Sequence, residues 1–245
     1  MNTWLKWAGI LILASGAIWF GWRHFSIMGH PQNKALARRE IALRVLADHL
    51  AAQQAGKTAW IVSNPFTQRA GQPPAVYAFE EAGIRGLQKG WEGKIKLGGI
   101  SFPTLLGGAI ENPQQFLIDP QTKTPLSYLT APGAWDALIP AHTNVDLIVS
   151  LVGLPLDVRN LNLWRQPKPQ WVLLLPDLRM LGDLDAVRSA FRSGKLAALI
   201  LDRPGAPQES TAVSADYRQE FDRFFLLVTR QNLEQMTANW PQAFY

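Results

Sequence analysis

The chain has 245 residues, of which 47% are hydrophobic and 18% charged, and its formal net charge is +5. Cysteine is absent, which excludes disulfides, thiolate-bound zinc or iron–sulfur centres, thiol catalysis and a lipidated-cysteine anchor. Residues 1–34 carry Lys6, Arg23 and Lys34 and no acid, so the remainder holds 21 basic and 19 acidic side chains; this near balance, without a Lys/Arg block among aromatics, argues against a nucleic-acid partner.

The first element is a charge-free run from Trp7 to Trp22, closed by Lys6 on one side and Arg23 on the other. Trp4 and Trp7 bracket one end and Trp19 and Trp22 the other, as side chains that anchor at the two headgroup levels do. From Trp4 to Trp22 a helix rises roughly 27 Å, close to the ~30 Å hydrocarbon thickness. Residues 1–23 therefore read as an uncleaved transmembrane anchor. The small residues at Ala14 to Ala17 stand mid-run, where a signal-peptide cleavage site would not. Gly9 and Gly16 share a face that suits close helix packing. The expected lipid contact spans residues 4–22. By count, Arg23, Lys34, Arg38 and Arg39 against Lys6 and the amino terminus favour a cytoplasmic carboxyl side, but large domains cross a membrane largely regardless of charge, so the span alone leaves the side open.

Residues 24–33 read as a linker broken by Gly29 and Pro31, and residues 34–245 as one α/β domain. Leu36, Leu43, Leu46 and Leu50 fall on one face of a helix over 34–54. Strands are expected at 58–65, 94–100, 145–155, 170–177, 195–205 and 221–229. Helices are expected at 77–90, 135–142, 184–194 and 230–240, while 101–133 is irregular. Apolar runs without alternation fit strands covered on both sides, and their alternation with helices predicts a mostly parallel sheet in a three-layer sandwich.

Catalytic signatures are sparse. There is no G-x-S-x-G elbow, phosphate-cradling P-loop or dinucleotide fingerprint. Ser63 and Ser150 read as strand-end residues, and His24, His30, His49 and His142 form no i, i+4 ligand pair. Segment 192–195 ends a helix and so offers no amide nest, and the pairs Gly98-Gly99 and Gly107-Gly108 read as flexible loop. No metal or cofactor is expected. In parallel sheets ligands bind beyond the carboxyl ends of the strands, and the polar residues predicted there are Asn64, Asp177, Asp202 and Arg203. The same residue types also cap helices and shape turns.

The strand ending Ser63-Asn64-Pro65, the run VDLIVSLVGLP at 145–155, LAALILDRPG at 196–205 and FFLLVT at 224–229 together resemble type 1 periplasmic-binding-protein-like domains. Across residues 35–240 the resemblance is one of pattern, and the stretch is short for two full lobes. It implies an extracytoplasmic α/β fold, a non-enzymatic role and a small solute as ligand, and with these a single-pass anchor in an inner (cytoplasmic) membrane with the domain on the periplasmic side.

The combined expectation is a non-catalytic, membrane-tethered accessory or scaffold subunit of a larger membrane complex, or a degenerate solute-binding module. Trp135, Trp164, Trp240, Phe244 and Tyr245 are its candidate interface aromatics, with core packing or capping of the sheet the alternative for any single one of them. The alternatives are a tethered hydrolase or transferase using Asp177, Asp202 and Arg203, and a ligand-sensing domain.

Overall fold

A computed structural model describes residues 33–122, 124–139 and 144–245. The expected anchor with Trp4, Trp7, Trp19 and Trp22, most of the linker, and His142 lie outside the described residues. Among the described residues no helix is long and apolar enough to cross a membrane.

The first element is helix α1, residues 33–53, followed by β1 (Thr58–Val62), α2 (Pro74–Trp91) and β2 (Lys96–Ser101). A long irregular segment, whose described residues hold the short α3 (Leu126–Leu129) and 3-10 turns at Pro113–Gln115 and Ala134–Ala137, precedes β3 (Leu147–Ser150). Then come α4 (Asn162–Arg165), β4 (Gln170–Leu174), α5 (Leu184–Arg192), β5 (Leu196–Asp202), α6 (Tyr217–Phe224), β6 (Phe225–Thr229) and α7 (Leu233–Asn239). The six strands form one sheet in the order β2-β1-β3-β4-β5-β6. All neighbours run parallel except β5 and β6.

The sheet carries a core on each face. Leu43, Leu46 and Leu50 of α1 pack with Leu87 and Trp91 of α2 and Phe221 of α6 over Ile61, Val149, Val172 and Ile200. On the other face Val187 and Phe191 of α5 and Leu233 of α7 join Trp135, Val158 and Leu161 over Ile148, Leu173 and Leu199. Both faces of β3 and β4 are covered, hence the unbroken apolar runs.

Several expectations are corrected. Residues 221–229 are not one strand: Asp216 caps α6 by accepting from the amides of Arg218 and Gln219, and β6 starts only at Phe225. Of the expected 135–142 helix, the residues described, up to 139, show a 3-10 turn at Ala134–Ala137 and no α-helix. Gly98 and Gly99 are strand residues, as the expected 94–100 strand has them, and not flexible loop. The β1–β2 register slips at Ala59/Trp60, and a Cβ on Gly99 would sit 2.5 Å from the Trp60 ring. Glycine there makes room for the indole, whose N–H donates to Ser101 Oγ at 2.9 Å. Trp135 and Phe244 are core residues and not surface anchors; Trp135 stacks on Trp171 with centroids 5.4 Å apart. Trp164 meets Trp171 edge-on and Trp240 lies under Arg203, whereas Tyr245 is exposed.

The helices α1 and α2 cross closely because α2 presents glycine along one stripe. A Cβ on Gly86 would lie 2.3 Å from the Glu40 carbonyl oxygen, and one on Gly90 2.5 Å from that of Arg44. Across the rim of this seam Glu40 accepts from Arg85 at 3.2 Å and Lys89 at 2.5 Å.

Candidate functional site

Sequence order reverses direction in the sheet between β1 and β3, since β1 is followed by β2 on one side and β3 lies on the other. Such a switch point opens a crevice at the carboxyl ends of its two strands. Here Val62 leads into Ser63 and Asn64, and Ser150 into a tight turn whose Gly153 has φ 78°. Ser150 Oγ donates to the Gly153 carbonyl at 2.6 Å, and Gly153 lies so near Thr124 that a Cβ would meet its methyl at 2.5 Å. A cleft of 260 Å³ lies here, bounded by Asn64, Glu80, Thr124 and Val152. It shares Arg39, Phe79, Leu174 and Leu175 with a second cavity of 400 Å³ that continues toward Asp202 and Phe225. The two form one groove along the carboxyl edge, with the N-terminal half of α1 as a wall.

The floor is apolar and strained at one point. Leu175, directly after β4, has φ 45°, a left-handed conformation that costs a branched residue roughly 1–2 kcal/mol. Its amide still donates to the Ile200 carbonyl at 2.9 Å, so the sheet ladder continues through the strained residue while its side chain faces the groove.

Arg38, Arg39 and Glu80, which line this groove, are paired internally. Glu80 accepts from Ser63 Oγ at 2.7 Å, from the Asn64 amide at 2.8 Å and from Arg39 at 2.5 Å. Arg39 also lies over Phe79, 4.2 Å from its centroid; burial lowers its pKa against the opposing pull of Glu80. Its unbonded Nε sits against Gly83 in the α1–α2 seam, not in the groove. Arg38 donates to Glu220 at 2.9 Å and to the Glu209 and Thr211 carbonyls at 2.5 and 2.8 Å. Glu220, itself fully buried, accepts further from Arg223 and the Ser214 amide, each at 2.9 Å. Together with Lys34, which donates to the Ser210 carbonyl, Arg38 fastens the loop after β5 to the N-terminal end of α1.

The four residues predicted from sequence all stand at this edge but do not converge. Asn64 lines the groove, and its side chain accepts from the Phe66 amide at 3.0 Å to start a 3-10 turn. Asp177 caps Leu178–Met180 and accepts from Arg179 at 2.8 and 2.5 Å and from Thr122 Oγ1 at 2.9 Å. Burial pulls the Asp177 pKa up, but the Arg179 and Thr122 hydrogen bonds and the guanidinium charge outweigh it and hold the carboxylate below its usual value. Arg179 also reaches Asp119 at 2.7 Å, which ties the irregular segment after β2 to the end of β4. Asp202 shares with Asp177 a small cavity of 20 Å³ beside Phe244 and Tyr245. Arg203 turns away, its guanidinium 4.9 Å from the Trp240 ring.

Arg38, Arg39, Phe79 and Glu80 were not singled out from sequence, yet they form the walls. The signal was present: Leu36, Arg39, Leu43, Leu46 and Leu50 follow one 3-4-3-4 spacing, so Arg39 occupies a slot of the apolar stripe. A charge in such a slot requires a buried partner. Ser63 and Glu80 are within nucleophile–base distance, but the Ser63 side chain is buried beneath the groove and its hydroxyl cannot meet a substrate. Among the described residues no cluster of three His, Asp or Glu side chains is placed to hold a metal ion.

No protein-family model and no curated protein matches the chain. Among solved structures it is similar to the XylFII-LytSN complex, with a TM-score of 0.43, 11% identity and coverage of 79% of this chain and 60% of that one. It is also similar to AraP, an arabinose-binding protein from Geobacillus stearothermophilus (TM-score 0.42, 6% identity, 81% and 62% covered). A third similar structure is a periplasmic ribose ABC transporter protein from Conexibacter woesei (TM-score 0.41, 14% identity, 84% and 63% covered). The chain spans less than two thirds of the length of each of these structures.

Proposed function

We propose that the chain is a membrane-anchored, non-catalytic binding module on the periplasmic side of an inner membrane. It acts as an accessory subunit of a membrane assembly and holds a partner segment or a small solute in the carboxyl-edge groove. The observation that carries the reading is the division of labour in that groove. Its floor, Leu174 and Leu175 with Phe79 beside them, is apolar and open, while Glu80 on its wall is held by Ser63, the Asn64 amide and Arg39, and Glu220, behind the lining Arg38, by Arg38, Arg223 and the Ser214 amide. A carboxylate fixed in this way is a poor general base, because proton transfer would break its structural pairs. An apolar floor rimmed by fixed polar groups suits binding.

The test is a mild-detergent pull-down of the full-length protein from native membranes, run beside Phe79→Ala, with a panel of solutes screened by thermal stabilisation. Co-purification of a stoichiometric set of chains, or stabilisation by a solute, is expected, and Phe79→Ala should weaken it. A lone chain that no solute stabilises would refute the proposal.

A further inference from the structure

A second groove, separate from the carboxyl-edge one, follows α5 along the opposite face of the sheet. It has a volume of 590 Å³ and is lined by Arg159, Trp164, Arg165, Gln166, Ser189 and Lys195, among others. Among the described residues no carboxylate lines it. Arg159 and Arg165 are exposed, and among the described residues neither forms an ion pair or a side-chain hydrogen bond. The nearby acids are engaged elsewhere: Asp136 accepts from the Asn162 and Leu163 amides at 3.0 and 2.8 Å, and Asp185 and Glu234 pair with Arg188.

Lys195 supplies a charge from below. It is nine-tenths buried, and its ammonium donates to the carbonyls of Gln166, Leu163 (3.3 Å) and Pro169 (3.4 Å). Those acceptors occupy its donors, so free hydrogen-bonding capacity in the groove resides in the two guanidinium groups. Each planar fork can donate to both oxygens of one carboxylate. Trp164, packed edge-on against Trp171 with centroids 5.3 Å apart, gives the groove a fixed apolar wall.

We infer that this groove is a docking site for an acidic peptide segment of a partner protein. Three cations without a lining acid form an electrostatic sink that oppositely charged chains enter readily. An anionic lipid headgroup is the poorer match. With the anchor where the sequence places it, the tether joins α1 at the carboxyl edge of the sheet, on the face opposite the groove. Lys195, immediately before β5, marks the groove's end at the amino edge. The inference stands apart from the carboxyl-edge groove, and its test uses different residues.

The measurement is the fluorescence anisotropy of a labelled oligoglutamate peptide titrated with the full-length protein in phosphatidylcholine nanodiscs, with oligoglutamine of equal length as the control. Oligoglutamate should bind, more weakly as salt is raised, and oligoglutamine should not. Arg159→Glu and Arg165→Glu should each weaken binding about tenfold while thermal stability is retained, since both side chains are exposed and unpaired. Arg230→Glu, exposed and outside the groove, should leave affinity unchanged. Absence of oligoglutamate binding, equal binding of oligoglutamine, or insensitivity to both reversals overturns the inference. So does recruitment of phosphatidylglycerol-containing vesicles through Arg159 and Arg165 without peptide binding.

Discussion

Replacing Gly86 by alanine sets two effects of opposite sign against each other. Helix propensity alone favours alanine by about 1 kcal/mol. The structure opposes it, because the new Cβ would lie 2.3 Å from the Glu40 carbonyl oxygen and 3.1 Å from the Arg44 nitrogen. These are backbone atoms of a helix and cannot swing aside. Restoring ordinary contact requires α1 and α2 to separate by about 1 Å, and a gap of that size forfeits a quarter to a half of the dispersion energy across it. Leu43, Ala47, Leu87 and Trp91 belong to the core on this side. With roughly a third of their contacts crossing the seam, at ~0.1–0.2 kcal/mol each, the loss is about 3 kcal/mol. The net destabilisation is about 2 kcal/mol, or roughly 4–8 °C in Tm for a domain of this size. Thermal unfolding of the full-length protein in detergent, followed by far-UV circular dichroism, reads this directly. Gly83→Ala is the internal control: its Cβ would meet side-chain atoms and no backbone, the terminal methyl of Leu43 at 2.7 Å and Arg39 Nε at 3.1 Å, which can shift, so Tm should change by only a degree or two. A rise in Tm for Gly86→Ala would mean that the seam yields easily and the argument is wrong.

Two further outcomes are expected. Glu220→Gln leaves the buried Arg38 guanidinium facing a neutral partner and should cost on the order of 3 kcal/mol; limited proteolysis should then cut within residues 206–214, and unchanged stability with an intact loop would contradict the clamp. Asp177 has a folded-state pKa below its usual value, so its stabilisation is complete above the unfolded carboxylate value of about 4 and is lost as pH falls through the folded value. Acid titration of stability should therefore be shallower for Asp177→Asn than for the unaltered chain, and parallel curves would show that the Arg179 pair contributes nothing.

The sheet was legible in the sequence because central strands covered on both faces leave unbroken apolar runs, as VDLIVS and QWVLLL do. Residues 221–229 were misread because α6 and β6 adjoin, and Phe221, Phe224 and Phe225 give an aromatic run that no period divides. The Asp216 cap lies outside that run. The need for glycine at 98 and 99, inside the expected 94–100 strand, was not legible because its cause is tertiary: the Thr58 methyl crowds Gly98 and the Trp60 indole crowds Gly99, both from more than thirty residues earlier in the chain. At the groove, strand-end residues could be named from topology. Which of them turn inward depends on the Arg39–Glu80 and Arg38–Glu220 pairs, and those join segments far apart in the chain. The separate roles of Asp177 and Arg203 follow from local neighbours, Arg179 and Trp240, whose positions only the folded backbone fixes.

The bonds of Arg38 also bear on how the chain is made. Its acceptors lie 171, 173 and 182 residues further along. At a synthesis rate of roughly 5–20 residues per second, about 10–40 s pass between the appearance of this arginine and that of its last acceptor. During that interval the earliest helix of the domain has an apolar stripe and a cationic end without their final partners. Closure is thus a late event that involves both ends of the domain. A nonsense mutation just before α6 would therefore remove more than the last strand and the last two α-helices, because it would also leave the start of the domain without its lock.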